Sequence, residues 1–208
     1  YKGDIEALPD EAVAEKVESY KQIVEVYEKH LKLDAMVIKT YNQILELDED
    51  NEEATDALVS LYESGKRWND LLKILNTRAE RSKNPEDAVK IYYQIADLWS
   101  GNLGNVAKSI QPLVQIIEID PTQQDALEQL HQIYEQRNAW EDLYDIIEKE
   151  AANVEGKERV DFYKRQAEVG ETNLRSSEKA IASWEKVSLY AEEPREALDT
   201  LVRLYGKE

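Results

Sequence analysis

The chain has 208 residues, 42% of them hydrophobic, and no cysteine. That is enough apolar surface for one extended core, and it excludes disulfides, thiol catalysis and thiolate metal sites. Acidic residues outnumber basic ones 44 to 26, giving a net charge of −18, which argues against nucleic acid and anionic membrane surfaces, both held by clustered Lys and Arg, and favours basic partners drawn in by the field.

Apolar runs are only a few residues long, so no membrane insertion is expected. The chain begins at Tyr1 rather than Met and stops at Glu208 in mid-pattern, so it reads as a piece of a longer protein. Its compartment is not fixed by these features, with the cytoplasm as default. Residues 1–9 read as an N-terminal tail and residues 10–208 as a single helical repeat domain of about five helix pairs plus a terminal helix. Spacing and turn signals predict helices over 10–31, 34–47, 51–64, 67–82, 85–100, 104–119, 122–136, 139–153, 157–173, 176–190 and 194–206. Leu58, Leu61 and Tyr62 follow three-and-four spacing, as do Leu71, Leu72, Ile74 and Leu75. Asn84-Pro85 gives an N-cap followed by proline at the first helical position, and Thr122 with Asp125 three residues on has the form of a capping box. Ser176 and Pro194 mark two further starts, and Gly65, Gly101, Gly104 and Gly156 sit at junctions. Strand alternation is absent from the sequence. Short connections between helices make neighbours antiparallel.

The sequence also repeats itself. Moving Gln43–Ala79 forward by 72 gives thirteen identities in 37 ungapped positions, among them Ala54/Ala126, Leu58/Leu130, Tyr62/Tyr134, Trp68/Trp140 and Ala79/Ala151. The same shift carries Val17, Tyr20 and Ile23 onto Val89, Tyr92 and Ile95. A third copy follows at 71, with Tyr163, Ala167, Leu201 and Tyr205 under Tyr92, Ala96, Leu130 and Tyr134. The repeating unit is therefore two unlike helix pairs, each of about 34–36 residues, and stacked pairs of this length read as an α-solenoid.

The pattern resembles the tetratricopeptide repeat family over about residues 10–206. Lys179-Ala180-Ile181-Ala182-Ser183-Trp184-Glu185-Lys186-Val187 is similar to the family's second helix, as is 105–121 with its closing Asp-Pro, and Tyr92-x-x-Ile95-Ala96-x-x-Trp99 is similar to its first helix. The small first-helix residue is replaced by Val24, Val59, His131 and Val202 elsewhere, so the array is divergent and resembles long repeat arrays of bacterial proteins. The resemblance implies an all-α right-handed superhelix of antiparallel helices that binds proteins or peptides.

No catalytic, metal or cofactor site is expected. His30 and His131 stand in different repeats, one near a helix end and one in a packing slot, and no His-x-x-x-His pair occurs. The acidic run Asp48-Glu49-Asp50-Asn51-Glu52-Glu53 lacks the central glycine of a calcium loop. Trp68, Trp99, Trp140 and Trp184 fall at repeat positions and read as core packing.

In the resembled family the first helices line a concave groove. Carried over, that implies Lys21, Gln22 and Glu25; Asp56, Ser60 and Glu63; Tyr93, Gln94 and Asp97; Glu128, Gln129 and Gln132; Lys164, Arg165 and Glu168; and Asp199, Thr200 and Arg203. The Lys and Asn clamp for a peptide carboxylate is missing. The expected function is thus a scaffold binding a basic or polar peptide or helix, the alternative being a spacer with no binding site. Leu198, Leu201, Val202, Leu204 and Tyr205 on the last helix raise the expectation of a cap or a weak homodimer through that end.

Overall fold

A computed structural model describes residue 5, residues 8–9 and residues 11–206; the expected tail over 1–9 and the helix start at residue 10 fall largely outside these described residues. The regular elements among them are all helical. The chain divides into two compact units, Tyr1–Arg81 and Ser82–Glu208.

The first unit holds α1 (Val13–Glu25), α2 (Asp34–Leu47), α3 (Glu52–Ser64) and α4 (Trp68–Arg81). The second holds α5 (Pro85–Asp97), α6 (Val106–Ile119), α7 (Gln124–Gln136), α8 (Trp140–Ala152), α9 (Gly156–Glu168), α10 (Ser177–Tyr190) and α11 (Arg195–Tyr205). Within each unit the helices pack chiefly on their neighbours in sequence, the contact pattern of stacked hairpins. Ile44, Leu58, Leu71 and Leu75 are fully buried in the first unit, and Ile95, Leu113, Leu130, Leu143 and Ile147 in the second. Of the positions that three-and-four spacing put on inner faces, Leu58, Tyr62, Leu71, Leu72 and Leu75 are buried, and Leu61 and Ile74 are half-buried.

Two layers run through each unit. Odd-numbered helices are linked by Lys21–Glu53, by Arg165–Glu135 at 2.6 Å, by Lys164–Glu196 at 2.6 Å and by Arg203, which donates to both oxygens of Glu171 at 2.8 and 3.0 Å. The even-numbered layer is linked by Arg81–Glu49, Lys179–Glu141 and Lys186–Glu148. Most of these partners are more than a third exposed, so each pair adds little stability and mainly orients side chains.

Two kinds of turn alternate with the 72-residue period. Helices α1, α5 and α9 each end in a π-helical turn, Val26–Leu31, Leu98–Asn102 and Val169–Asn173. Each turn is followed by a left-handed residue, Lys32 (φ 51°), Gly104 (φ 61°) or Arg175 (φ 53°). The next amide reaches back six residues: Leu33 to Tyr27 O, Asn105 to Trp99 O and Ser176 to Gly170 O. Helices α3 and α7 instead close with a five-residue reach, Arg67 to Tyr62 O and Ala139 to Tyr134 O, around left-handed Lys66 (φ 53°) and Asn138 (φ 54°). The latter is the Schellman arrangement, and the former is its wider π version. The first helices thus extend as far as the sequence indicated, but in a different winding.

Side-chain caps form at three starts, of which the sequence marks Asn84 and Ser176. Asn51 accepts from Ala54 N, Asn84 from Glu86 N ahead of Pro85, and Ser176 from Lys179 N. The capping box expected at Thr122 and Asp125 does not form. The helix begins at Gln124, and Thr122 instead donates its amide and hydroxyl to Asp120 at 2.9 and 2.7 Å, because the Asp120 side chain competes for the same amide in a local turn. The tryptophans also depart from the core reading, since all four are half-buried. Trp68 and Trp140 open α4 and α8, Trp99 lies in a π turn beneath Lys108 Nζ at 4.4 Å, and Trp184 bridges two small buried clusters.

Candidate functional site

The second unit presents a continuous face made by α5, α7 and α9. A cleft of about 450 Å³ lies between α5 and α7, lined by Tyr93 and Asp97 on one side and Asp125, Glu128, Gln129 and Gln132 on the other. These residues share a face because 125, 128, 129 and 132 are spaced by threes and fours along α7. The lining contains three carboxylates and no cation. Burial first, and then the Asp125 carboxylate, push the Tyr93 phenol above its ordinary range. Its hydroxyl donates to Gln123 at 3.4 Å.

A second cleft of about 440 Å³ opens on the other flank of α7 and shares Glu128 and Gln132 with the first. Its apolar floor is Leu127, Val154 and Phe162, and its rim carries Glu135, Glu150, Glu158 and Arg165. Arg165 is committed to Glu135 at 2.6 Å. His131 Nδ1 stands 2.6 Å from Glu150 Oε2, with side chains only 13% and 10% exposed, so His131 serves as the packing-slot residue with its ring held from α8. Among the described residues, no group of three or more His, Cys, Asp or Glu is placed to hold a metal ion, and no helix is long and apolar enough to cross a membrane.

Of the residues expected in the groove, Tyr93, Asp97, Glu128, Gln129 and Gln132 meet around the first cleft and Arg165 joins the second. Gln94 and Glu168 are exposed and line neither. Lys164 is drawn to Glu196. In the first unit Lys21 binds Glu53, Glu25 binds Lys29 at 2.8 Å and Asp56 binds Arg78 at 2.7 Å, while Gln22, Ser60 and Glu63 are exposed. Asp125 and Glu135 were missed although they lie one turn either side of the expected residues, and α7 periodicity alone would have found them. Val154, Glu158 and Phe162 were missed because the second cleft needs the α8–α9 connection to fold back beside α7.

No family model and no curated protein matches the chain. Among solved structures it is similar to MamA, at 18% identity over 84% of this chain and 94% of that one, with a TM-score of 0.39. It is similar also to YrrB, described as a TPR protein with an unusual peptide-binding site, at 13% identity over 92% and 98%, with a TM-score of 0.40. A third is a putative protein binding protein from Bacteroides ovatus ATCC 8483, at 14% identity over 92% and 98%, with a TM-score of 0.35. At these scores the likeness carries no argument about function. Within each unit the helix pairs, with their lengths, layers and alternating turns, form an all-helical array of stacked antiparallel hairpins.

Proposed function

We propose that the chain is a protein-interaction scaffold in which residues 10–208 act as one repeat domain. On this reading the α5–α7–α9 face of the second unit receives a basic or polar peptide or helical segment. The observation that supports this reading is the pair of adjoining clefts on that face, whose rim carboxylates Asp97, Asp125, Glu128 and Glu158 have no cationic partner among the described residues. A partner Lys or Arg would place its charge there and its aliphatic stem on Phe162 and Leu127. Charge at an open rim also raises the association rate and makes it salt-dependent.

The test is fluorescence anisotropy with a labelled Lys/Ala peptide and its Glu/Ala counterpart. The Lys/Ala peptide binds more tightly at low salt, and Asp97→Lys with Glu128→Lys weakens it by about tenfold or more, a loss of roughly 1.4 kcal/mol. Equal affinity for both peptides, or no effect of the double charge reversal, removes the cleft from consideration and leaves the spacer reading.

A further inference from the structure

One position of the repeat changes sign between its first and second copies. In the first unit Asp56 on α3 holds the Arg78 guanidinium of α4 at 2.7 Å, and Val59 stands three residues along from Asp56. A shift of 72 turns Asp56, Arg78 and Val59 into Glu128, Glu150 and His131. The carboxylate on the first helix stays, and its cation on the second helix becomes another carboxylate. Glu150 is held by His131 Nδ1 at 2.6 Å. Glu128 receives the Gln132 amide at 3.2 Å and, among the described residues, no cation.

The surroundings of Glu128 suit the cation it lacks. Glu128, His131 and Glu150 line the cleft of about 440 Å³ that has Leu127, Val154 and Phe162 as its floor. Glu158 on α9 lines it as well, and the one Lys or Arg in that lining, Arg165, is committed to Glu135 at 2.6 Å. Elsewhere the chain fills such a combination of ring and carboxylate with a cation of its own. Arg67 lies over the Tyr62 ring at 5.0 Å while bonded to Asp70 at 2.6 Å, and Lys186 lies over the Tyr163 ring at 5.2 Å while bonded to Glu148. Phe162 and Glu158, four apart on one face of α9, are the same two kinds of group with no cation from this chain over them.

We propose that the second cleft is an arginine pocket. It takes one arginine side chain of the partner, with the guanidinium at Glu128 as Arg78 stands at Asp56, and with the stem across Leu127. The flat face of the guanidinium lies on Phe162, and its remaining N–H groups meet Glu158. Lysine is the poorer occupant. An ammonium is a strongly hydrated point charge without a flat face, so it loses more on entering a cleft with an apolar floor. The proposal rests on the reading that this face receives a basic segment, and it narrows that reading to one kind of side chain in one cleft.

The test is fluorescence anisotropy at low salt with labelled Ala-based peptides that carry Arg, Lys or citrulline at the same positions. The parent chain binds the Arg peptide about fivefold more tightly than the Lys peptide, and the neutral citrulline peptide least. Phe162→Leu brings Arg binding down to the Lys level and leaves Lys binding as it was. His131→Val combined with Glu150→Arg gives α7 and α8 the residues that α3 and α4 hold at this register, so circular dichroism and Tm stay those of the parent chain. The guanidinium so introduced covers Glu128 from within, and Arg-peptide binding falls by about tenfold or more. Glu128→Gln, at an exposed position, weakens it without touching the core. Equal binding of the Arg and Lys peptides by the parent, an unchanged preference in Phe162→Leu, or undiminished Arg binding by either of the other variants overturns the arginine pocket and leaves the broader reading in place. Binding of none of the peptides overturns both.

Discussion

Gln166 on α9 is the residue whose removal should be felt most for its size. It is fully buried, as is Ser183 on α10. Its amide nitrogen donates to Tyr144 O and to Glu148 Oε2, both at 3.0 Å, and its carbonyl accepts from Ser183 Oγ at 3.0 Å. The Tyr144 hydroxyl closes the set by donating to Lys179 O and meeting Ser183 Oγ, both at 2.9 Å. Three consecutive helices are thus tied by one polar side chain in the interior. Gln166→Ala removes a side chain about as long as leucine or methionine, for which truncation costs about 2–5 kcal/mol. The partners are not orphaned, because Ser183 keeps Lys179 O and Tyr144 while Glu148 keeps Lys186. The cost should therefore sit near the low end, about 2–3 kcal/mol, which in a chain of this size lowers Tm by roughly 5–10 °C. The repeat supplies the control. Gln166 occupies the register of Ile23 and Ile95, both buried, so Gln166→Ile fills the volume without stranding a polar group and should fall within about 1 kcal/mol of the parent. Thermal and urea unfolding followed by circular dichroism measures both. An alanine variant as stable as the parent, or an isoleucine variant as damaged as the alanine one, would show that the network does not hold these helices in place.

Three further outcomes follow from the turns, the tryptophans and one carboxylate. Lys32→Gly and Arg175→Gly relieve left-handed backbone at residues with a Cβ and should each raise stability by about 0.5–1 kcal/mol, whereas Gly104→Ala at the equivalent turn should lower it by about 1 kcal/mol; calorimetry that ranks the three otherwise contradicts the common turn. Trp184→Ala should cost about 2–3 kcal/mol by urea denaturation, below the 3–5 kcal/mol of a fully buried tryptophan, because the side chain is only partly buried where it joins the two clusters. The Asp120 carboxyl is held below its ordinary range by the Thr122 hydroxyl, then the Gln123 amide, then the Thr122 backbone N–H. A depressed carboxyl contributes stability above its unfolded pKa and loses it as pH falls through the lower folded value, so the turn should loosen only in acid. Carbon-detected NMR titration should show Asp120 returning toward the ordinary value in Thr122→Val.

Much of the architecture was legible because the sequence states it three times. Tyr62 and Tyr134, or Leu58 and Leu130, fall at the same register, and an inner face repeated at constant spacing can be satisfied only by helices that stack alike. Element order, the two unlike pairs of each period and the caps at Asn84 and Ser176 follow from residues in sequence contact with one another. The π turns are not visible in this way. α and π winding use the same residues, so side-chain spacing does not distinguish Val26–Leu31, Leu98–Asn102 and Val169–Asn173 from a continued α-helix. At Gly170 the chain runs so close that a Cβ would stand 3.0 Å from Ala180 N, while the same register carries Tyr27 and Trp99 in the other copies.

The sequence by itself determined which residues lie on which face, since periodicity along a helix is a local property. It put Leu58, Tyr62, Leu71 and Leu75 on inner faces, and all four are buried. Only the tertiary structure decided which faces meet. Phe162 and Glu158 come beside Leu127 and Glu128 because α9 packs back on α8, and Gln166 finds Tyr144 and Ser183 across two helix interfaces. Helix α11 makes the same point in reverse. Tyr205 stands at the register of Tyr62, yet Tyr62 is 6% exposed and Tyr205 51%, because burial belongs to the pair of surfaces and not to either sequence alone.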